Sequence, residues 1–299
     1  MEQVLRLASA PINWGVGPLD PQNPDPERVL DAIAEAGYEG CELGTYGFFG
    51  NTAEQVLPRF KARNLALVTT WHQVDLARPL SDAATEELRT VCGILQAGGA
   101  SVILISDLIT PERMAVVARV DERPDAWWSD EEWQQARQTL LAIAAIASEY
   151  GLIVAIHPHV GGHIESGSEI RRILDLTEGD PIYLCLDTGH IRIGGSDPIA
   201  LLERECGRLR HVHAKDVDGG VLEKLRSGAL TYDEAVEAGL YAPLGQGIVD
   251  WQGLKRGLAA CDYRGWVVAE QDRIMHPNDP APWELNRRNA EFLRGLFKI

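Results

Sequence analysis

The feature that most constrains the fold is a unit that recurs eight times along the 299 residues: an amphipathic segment, a glycine or polar turn, and a short apolar run. Several runs are continuously apolar, as expected of strands buried on both faces of a parallel sheet. Parallel strands with crossover helices predict an α/β fold, a single (β/α)8 TIM barrel in one domain over residues 1–299. The predicted strands are Leu5–Ile12, Gly40–Leu43, Leu65–Trp71, Ser101–Ile105, Leu152–Ile156, Ile182–Leu186, Arg210–Ala214 and Trp266–Ala269.

Helix signals separate these runs. The stretch SDEE (129–132) predicts a capping box, and the helix that it opens is expected to end before Gly151, where a left-handed cap residue fits. An open doubly wound sheet is the alternative architecture, but residues 12–18 lack the third glycine of a phosphate-binding loop. Two long excursions, Asp107–Ser129 and Asp218–Val249, are expected at the barrel mouth, where a lid could form.

Composition excludes some partners. The formal net charge of −16 opposes binding to nucleic acids and anionic membranes, which need a basic surface. The amino-terminal residues lack the features of a signal peptide, and no apolar run reaches the roughly 20 residues of a membrane span. We therefore expect a soluble, cytoplasmic protein. The five cysteines show no CxxC spacing, so we expect buried free thiols in a reducing compartment, with Cys41 and Cys185 inside apolar runs.

Polar residues collect where the predicted strands end, at positions that a barrel brings to one bowl. Singly, each has a plain structural explanation: a carboxylate after a strand often caps the next helix, and a lone histidine is more often hydrogen-bonded than metal-bound. His211 should share a strand face with His213 and pack more deeply, whereas His163 and His276 are expected in solvent. The residues at strand ends are Glu42, His72, His157, His159, Asp187, His190, His211, His213, Lys215, Asp216, Glu270 and Asp272.

As a set, these residues predict a metal centre. Strands five to eight supply, in order, histidine, aspartate, histidine and glutamate. Nitrogen and oxygen ligands without thiolates suit Mn²⁺, Co²⁺, Zn²⁺ or Fe²⁺ and do not suit a structural zinc site. Asp187 is then a ligand, and Gly189 lets the chain turn so that His190 faces the same bowl. The groups left over, expected to bind substrate or support the ligands, are His190, Lys215, His72 and Glu42.

Six stretches carry a resemblance to a known family: YEGCELG (38–44), YGLIVAIHPH (150–159), LDTGH (186–190), RHVHAKDV (210–217), PLGQGIVDW (243–251) and WVVAEQD (266–272). They are similar to the sugar phosphate isomerase/epimerase superfamily, the xylose isomerase-like barrels, over nearly the whole chain. Within it, the sequence best resembles the inosose (2-keto-myo-inositol) dehydratases, which share the segment API-W at Ala10–Trp14. By position, the resemblance implies a metal, with Mn²⁺ or Co²⁺ expected first, on His157, Asp187, His213 and Glu270.

The resemblance implies elimination of water from a cyclic polyol ketone. Glu270 is the expected base and His190 or Lys215 the expected acid. Ketose epimerases usually carry glutamate where His157 stands, which favours the dehydratase and leaves His159 as a possible substitute ligand. The residues expected to contact the substrate are Trp14, Glu42, His72 and His159; Trp71 either lines the site or belongs to the core.

Three alternatives remain open from the sequence. One is a sugar isomerase or epimerase with the same metal and altered acid/base groups. Another is an apurinic-site endonuclease, which shares the barrel but is opposed by the acidic charge. The last is a non-catalytic binding barrel, which fold alone does not exclude. Barrels of this kind often dimerise, so a homodimer is a further expectation.

Overall fold

The eight predicted strands form in the computed structural model, which describes residues 5–17, 23–273 and 282–299. Their ends shift by a few residues, and the third is split into two pieces, β3 and β4. Two further short strands, β9 and β10, form an antiparallel pair outside the main sheet. The strands are β1 Arg6–Ser9, β2 Gly40–Cys41, β3 Ala66–Leu67, β4 Trp71–Val74, β5 Val102–Asp107, β6 Ile153–Ile156, β7 Ile182–Asp187, β8 Leu209–Ala214, β9 Asp216–Val217, β10 Tyr241–Ala242 and β11 Trp266–Ala269.

Helices follow the strands of the main sheet as crossover connections. Ser129 forms the predicted capping box with Glu132, and Gly151 adopts a left-handed conformation beyond the end of that helix. Four short 3₁₀ segments interrupt the loops. The α-helices are α1 Pro26–Glu35, α2 Ala53–Lys61, α3 Asp82–Ala97, α4 Pro111–Met114, α5 Asp130–Glu149, α6 Gly167–Leu176, α7 Thr188–Ile193, α8 Pro198–Arg204, α9 Gly219–Arg226, α10 Tyr232–Glu237, α11 Trp251–Ala260 and α12 Pro282–Phe297.

The main sheet closes into a barrel. Its strand order is β3-β2-β1-β11-β8-β7-β6-β5-β4, and every neighbouring pair within it is parallel. The two strands at the ends of this order, β3 and β4, are consecutive pieces of one chain segment, residues 66–74. Backbone hydrogen bonds join Leu43 to Thr69 and Leu104 to Thr70, which bridges the break. The result is a (β/α)8 barrel, as the sequence predicts.

The apolar side chains divide between the inside and the outside of the barrel. The largest core lies between the sheet and the surrounding helices. Two smaller clusters fill the barrel interior with mostly small and medium side chains, as expected for a closed barrel of eight strands. They contain Ala8, Ala10, Val68 and Val268 in one cluster and Val102, Leu104, Ala155 and Cys185 in the other.

The two excursions share a separate core beside the barrel mouth. Val117 from the first packs into one cluster with Val217 of β9 and with residues of α9, α10 and β10 from the second. Arg113 of the first excursion is fully buried and donates to the Gly162 carbonyl and the Glu169 carboxylate beyond β6. These contacts place both segments at the carboxyl ends of the strands. The cluster consists of Val117, Val160, Ile193, Val217, Leu222, Leu225, Ala235, Leu240 and Tyr241.

The expectation of free cysteines is correct for three of the five and wrong for two. Cys206, beyond α8, and Cys261, at the end of α11, form a disulfide with Cα atoms 5.3 Å apart. The pairing is tertiary, since 55 residues separate the two thiols in the chain. Cys41, Cys92 and Cys185 are free and buried. None of the helices in the described ranges combines the length and the apolar character that a membrane crossing demands.

Candidate metal centre and active site

Four strands deliver polar side chains to one point at the carboxyl end of the barrel. His157 directly follows β6, Asp187 ends β7, His213 lies in β8 in register with Asp187, and Glu270 directly follows β11. Asp187 Oδ2 lies 3.3 Å from His157 Nε2 and 3.5 Å from His213 Nδ1. His213 Nδ1 lies 3.0 Å from Glu270 Oε2. All four side chains are buried, so the atoms face one another and not bulk water.

Ser106 fixes the tautomer of His157. Its hydroxyl lies 2.8 Å from the His157 carbonyl, to which it donates, and it accepts from the Trp71 indole at 2.7 Å. The hydroxyl has one proton, so its contact with His157 Nδ1 at 3.2 Å places the hydrogen on the imidazole. His157 Nε2 therefore presents a lone pair to Asp187. A serine inside an apolar strand gave no sequence signal of this role.

Glu42 orients His213 in the same way. Glu42 Oε1 lies 2.9 Å from His213 Nε2 and 3.0 Å from His211 Nε2, so both imidazoles donate to it. His213 Nδ1 is buried, and within the described residues it has no hydrogen-bond partner. This carboxylate–histidine pairing is the arrangement that commonly supports metal-binding imidazoles. Glu42 is therefore enclosed beneath His213, and the expectation that it contacts the substrate is corrected to an orienting position.

The two carboxylate oxygens of Asp187 have different partners. Oδ1 accepts from the backbone N–H groups of Gly189 and His190, at 2.8 Å each, and so caps α7. Oδ2 is left for the cluster. Burial raises the pKa of Asp187, but the positive charge of Lys215 outweighs burial and holds it well below its usual range, so the carboxylate is ionised.

The four groups fit a divalent cation. Two imidazole lone pairs and two carboxylate oxygens lie close together, and acceptors in such proximity repel unless a positive charge lies between them. Asp187, His213 and Glu270 form one compact potential metal-binding group, and His157 joins Asp187 and His190 in an adjoining one. The nearby Cys185 thiol does not compete as a metal ligand, because burial raises its pKa well above the ordinary value and so disfavours the thiolate that would bind a metal. Two nitrogens and two oxygens suit Mn²⁺, Co²⁺, Zn²⁺ or Fe²⁺.

Lys215 supplies the fixed positive charge of the site. Its Nζ lies 2.8 Å from Asp272 Oδ1, 3.2 Å from Glu270 Oε2 and 3.5 Å from Asp187 Oδ2. Burial lowers the pKa of Lys215, but these three carboxylates raise it well above the usual range, so the ammonium is retained. Asp272, which the sequence could equally assign to a helix cap, instead binds this lysine.

His190 is the neutral partner of Lys215. Its Nε2 lies 3.0 Å from Lys215 Nζ, and its Nδ1 lies 3.3 Å from the Tyr241 hydroxyl, which contacts Tyr232 at 2.8 Å. Burial lowers the pKa of His190 well below the ordinary value, and the charge of Lys215 adds to this effect. A side chain at Gly189 would place its Cβ 2.6 Å from Lys215 Cγ, so this position requires glycine.

His159 lies beside the centre and not within it. Its ring stacks on Trp71, with centroids 4.9 Å apart, and its centroid lies 3.8 Å from that of His190. Its Nδ1 donates to its neighbour's carbonyl, that of Val160, at 2.8 Å. Burial lowers the pKa of His159 to about 3, so the ring is neutral. The close contact with Asp187 therefore favours His157 over His159 as the strand-five ligand.

Two expected substrate contacts are not brought to the cluster. His72 lies on the outer face of β4, where its Nδ1 is 3.9 Å from Glu87 of α3, because Trp71 occupies the inner face. Trp14 is buried in the outer core. His163 is also corrected: its Nδ1 pairs with Asp107 at 2.8 Å, and its ring stacks on Trp128, so it is not solvated. His276 lies outside the described residues.

The comparisons with known proteins agree with this fold. The family model of the xylose isomerase-like TIM barrel matches residues 30–295. Inosose dehydratase of Bacillus velezensis is 32% identical over 287 residues, which cover 93% of this chain and 94% of the relative.

Two solved structures share the fold. The IolI protein with a bound zinc atom superposes with a TM-score of 0.71 at 15% identity, covering 98% of each chain. The 3-keto-D-glucoside 4-epimerase YcjR from E. coli superposes with a TM-score of 0.67 at 18% identity, covering 97% of this chain and 99% of the other. The architecture, the residues matched by the family model and the relative that spans nearly the whole chain all lead to one assignment. The chain belongs to the xylose isomerase-like TIM barrel family.

Proposed function

We propose that this chain is a divalent-metal-dependent carbon–oxygen lyase that dehydrates a cyclic polyol ketone of the 2-keto-myo-inositol type. The observation that carries the proposal is the buried cluster of two imidazoles and two carboxylates, directly beside the amine of Lys215. The relative named inosose dehydratase, which spans nearly the whole chain, supports the reaction class. The zinc atom in the structurally similar IolI protein supports a metal in this barrel.

The residues that would hold the ion are His157, Asp187, His213 and Glu270. Bound there, a divalent ion supplies Lewis acidity toward the ketone oxygen and orients the substrate. Which ion the protein uses belongs to the proposal; Mn²⁺ and Co²⁺ are the first candidates, and Zn²⁺ and Fe²⁺ satisfy the same donor set.

Glu270 and Lys215 are the proposed acid/base pair. Burial raises the pKa of Glu270, but His213 and Lys215 outweigh it and hold that pKa well below the ordinary value, so the carboxylate can accept a proton. Glu270 removes the proton α to the ketone, and the electron pair of the broken C–H bond forms the double bond. As this double bond forms between the α and β carbons, the β C–O bond breaks, its electron pair leaves with the oxygen, and Lys215 Nζ protonates that oxygen to water.

The geometry also explains how Glu270 and Lys215 return to their starting protonation states. Glu270 Oε2 and Lys215 Nζ are 3.2 Å apart, within reach of a direct proton transfer, so the proton taken from carbon can return to the amine. His190 Nε2, 3.0 Å from the same amine, holds Lys215 in place as a neutral acceptor. The substrate loses one water, and the enzyme ends in its starting protonation state.

Ketose epimerisation is the second candidate, since the YcjR epimerase has a similar fold. Epimerisation removes and returns a proton on opposite faces of one carbon and so needs a proton-transferring group on each side. The position of His157 does not provide one, because its Nδ1 hydrogen is committed to Ser106 and its Nε2 faces the proposed metal. The dehydratase is therefore the better-supported proposal.

The test is an ultraviolet assay of metal-stripped protein on 2-keto-myo-inositol, with Mn²⁺, Co²⁺ or Zn²⁺ added back. A metal-dependent rise in the absorbance of the unsaturated product, abolished in Asp187→Asn, supports the dehydratase. Asparagine keeps an oxygen that can cap α7, so this variant removes the ligand charge without unfolding the helix. Solvent deuterium incorporation without loss of water would assign the protein to the epimerases instead.

A further inference from the structure

Gln73 has an unused hydrogen-bond donor inside the barrel mouth. Its Nε2 atom is shielded from solvent, and across residues 5–17, 23–273 and 282–299 no protein group accepts its hydrogens. Buried polar groups are nearly always hydrogen-bonded, and leaving one unpaired costs stability. Such an atom in a binding pocket is a site where a ligand atom can complete the bonding.

Strand register places Gln73 at the height of the proposed metal centre. Gln73 pairs with Ser106 on β5, and Ile105 pairs with Ile156 on β6, so Ser106 is level with His157. Paired residues of parallel neighbours lie at the same height in the sheet. Gln73, Ser106 and His157 therefore form one row across three adjacent strands.

Side-chain alternation places Gln73 on the inner face of the barrel. Trp71 points inward, because its indole donates to Ser106 Oγ and its ring stacks on His159. Side chains two residues apart on a strand share a face, so Gln73 points inward as well, one step closer to the mouth. His72 between them faces Glu87 on the outside, as the same alternation requires.

The neighbouring polar groups are already committed. The indole N–H of Trp71 is used by Ser106, and the Ser106 hydroxyl is used by the His157 carbonyl. Lys215 is surrounded by three carboxylates and so offers no spare positive charge to a phosphate. An uncharged amide donor beside this acidic centre suits a hydroxyl or carbonyl oxygen of a neutral ring.

We propose that Gln73 is a substrate-binding residue whose side-chain amide donates a hydrogen bond to an oxygen of an uncharged polyhydroxylated ring. This inference rests on the proposed dehydration of a cyclic polyol ketone and adds a specificity-determining contact on the β4 side of the mouth. It also predicts a trade-off: the unpaired amide costs stability in the free protein and strengthens substrate binding.

The test compares Gln73→Met, which keeps the side-chain length and removes the amide, with Gln96→Met on the exposed surface of α3 as a matched control. Three properties are measured: the melting temperature of the substrate-free protein, the affinity for Mn²⁺, and the steady-state kinetics (KM and kcat) with 2-keto-myo-inositol. For Gln73→Met we expect a melting temperature about 1–3 °C higher and a KM about 10-fold higher. Mn²⁺ affinity should stay unchanged, and the control should change none of the three.

The outcomes separate this inference from the proposed function. A lower melting temperature would show that the amide is already satisfied in the free protein and overturns the inference. An unchanged KM in an active variant overturns it too, while the dehydratase stands. If the wild-type protein does not turn over the ketone, the proposed function fails. The inference about Gln73 is then tested by the melting temperature alone: if Gln73→Met does not melt at a higher temperature, Gln73 is not a substrate-binding residue.

Discussion

Glu42 Oε1 lies 2.9 Å from His213 Nε2, and this contact sets the orientation of the imidazole at the centre of the site. Because Glu42 takes the Nε2 hydrogen, His213 Nδ1 is left with its lone pair toward Asp187 and Glu270. The glutamate is itself enclosed, with 1% of its surface exposed. We therefore expect Glu42 to act through His213 and not by contact with the substrate.

Glu42→Gln should weaken metal binding without preventing it. A glutamine keeps the shape and can accept from one imidazole, but it lacks the charge that favours the correct His213 tautomer. Loss of such a supporting group costs about 10- to 100-fold in metal affinity. Competition titration with a chromogenic chelator measures the change. Glu86→Gln, on the exposed surface of α3, is the control; equal affinities in the two variants would show that Glu42 does not orient His213.

Replacing Lys215 by methionine should strongly destabilise the metal-free protein. The substitution leaves the buried carboxylates of Asp187 and Glu270 and the partly buried carboxylate of Asp272 without their shared cation. Breaking a buried ion pair from one side costs about 3–5 kcal/mol in the free energy of unfolding. Urea denaturation measures this loss. Adding Asp272→Asn should restore part of the stability, because it removes one of the uncompensated charges; a double variant no more stable than Lys215→Met contradicts the coupling.

His72 and His159 offer a direct comparison of the two faces of the barrel wall. His72→Gln should leave kcat/KM within about two-fold, because its imidazole lies toward Glu87 on the helix side. His159→Gln should lower kcat/KM about 10-fold or more, because its ring lies against His190 beside Lys215. Steady-state kinetics on the metal-loaded proteins measures kcat/KM for both variants. A large loss in the His72 variant would place its side chain at the substrate after all.

The contrast between these two histidines shows where sequence reasoning succeeds and where it ends. Apolar runs in the sequence reveal all eight strands, because a strand buried on both faces is apolar along its length whichever strands it pairs with. Side-chain direction does depend on neighbours. Ending strand three at Trp71 put His72 in the bowl, whereas the strand continues to Val74 and its pairing with β5 turns Trp71 inward and His72 outward.

The residues around the proposed ligands could not be recognised from the sequence, for a related reason. Ser106 and Gln73 gain their significance from register with His157 across neighbouring strands, and a single polar residue in a strand carries no sign of that register. The Cys206–Cys261 disulfide likewise depends on how α8 and α11 pack. The four proposed ligands could be proposed from the sequence because each lies within one residue of the carboxyl end of a strand, and the barrel brings all strand ends together.

Glu165 connects the two sides of the mouth and should make stability depend on pH. Its carboxylate accepts from the backbone N–H groups of Ala118, in the first excursion, and Gly161, beyond β6, at 2.8 Å each. Burial nevertheless raises the pKa of Glu165 to about 7. The folded protein therefore holds a proton that the unfolded chain, titrating near ~4.3, has already released.

Between about pH 4.3 and pH 7 the folded state binds more protons than the unfolded state, so the free energy of unfolding falls as the pH rises through this window. A pKa difference of this size corresponds to a loss of about 4 kcal/mol, complete above pH 7. Glu165→Gln cannot titrate and should lack this decline, although it loses one of the two backbone hydrogen bonds. Urea denaturation of both proteins from pH 5 to pH 8 measures the difference. If the free energies of unfolding of the two proteins change in parallel with pH, Glu165 titrates normally. If the two free energies converge as the pH rises, the result follows from the burial of Glu165 beneath the first excursion.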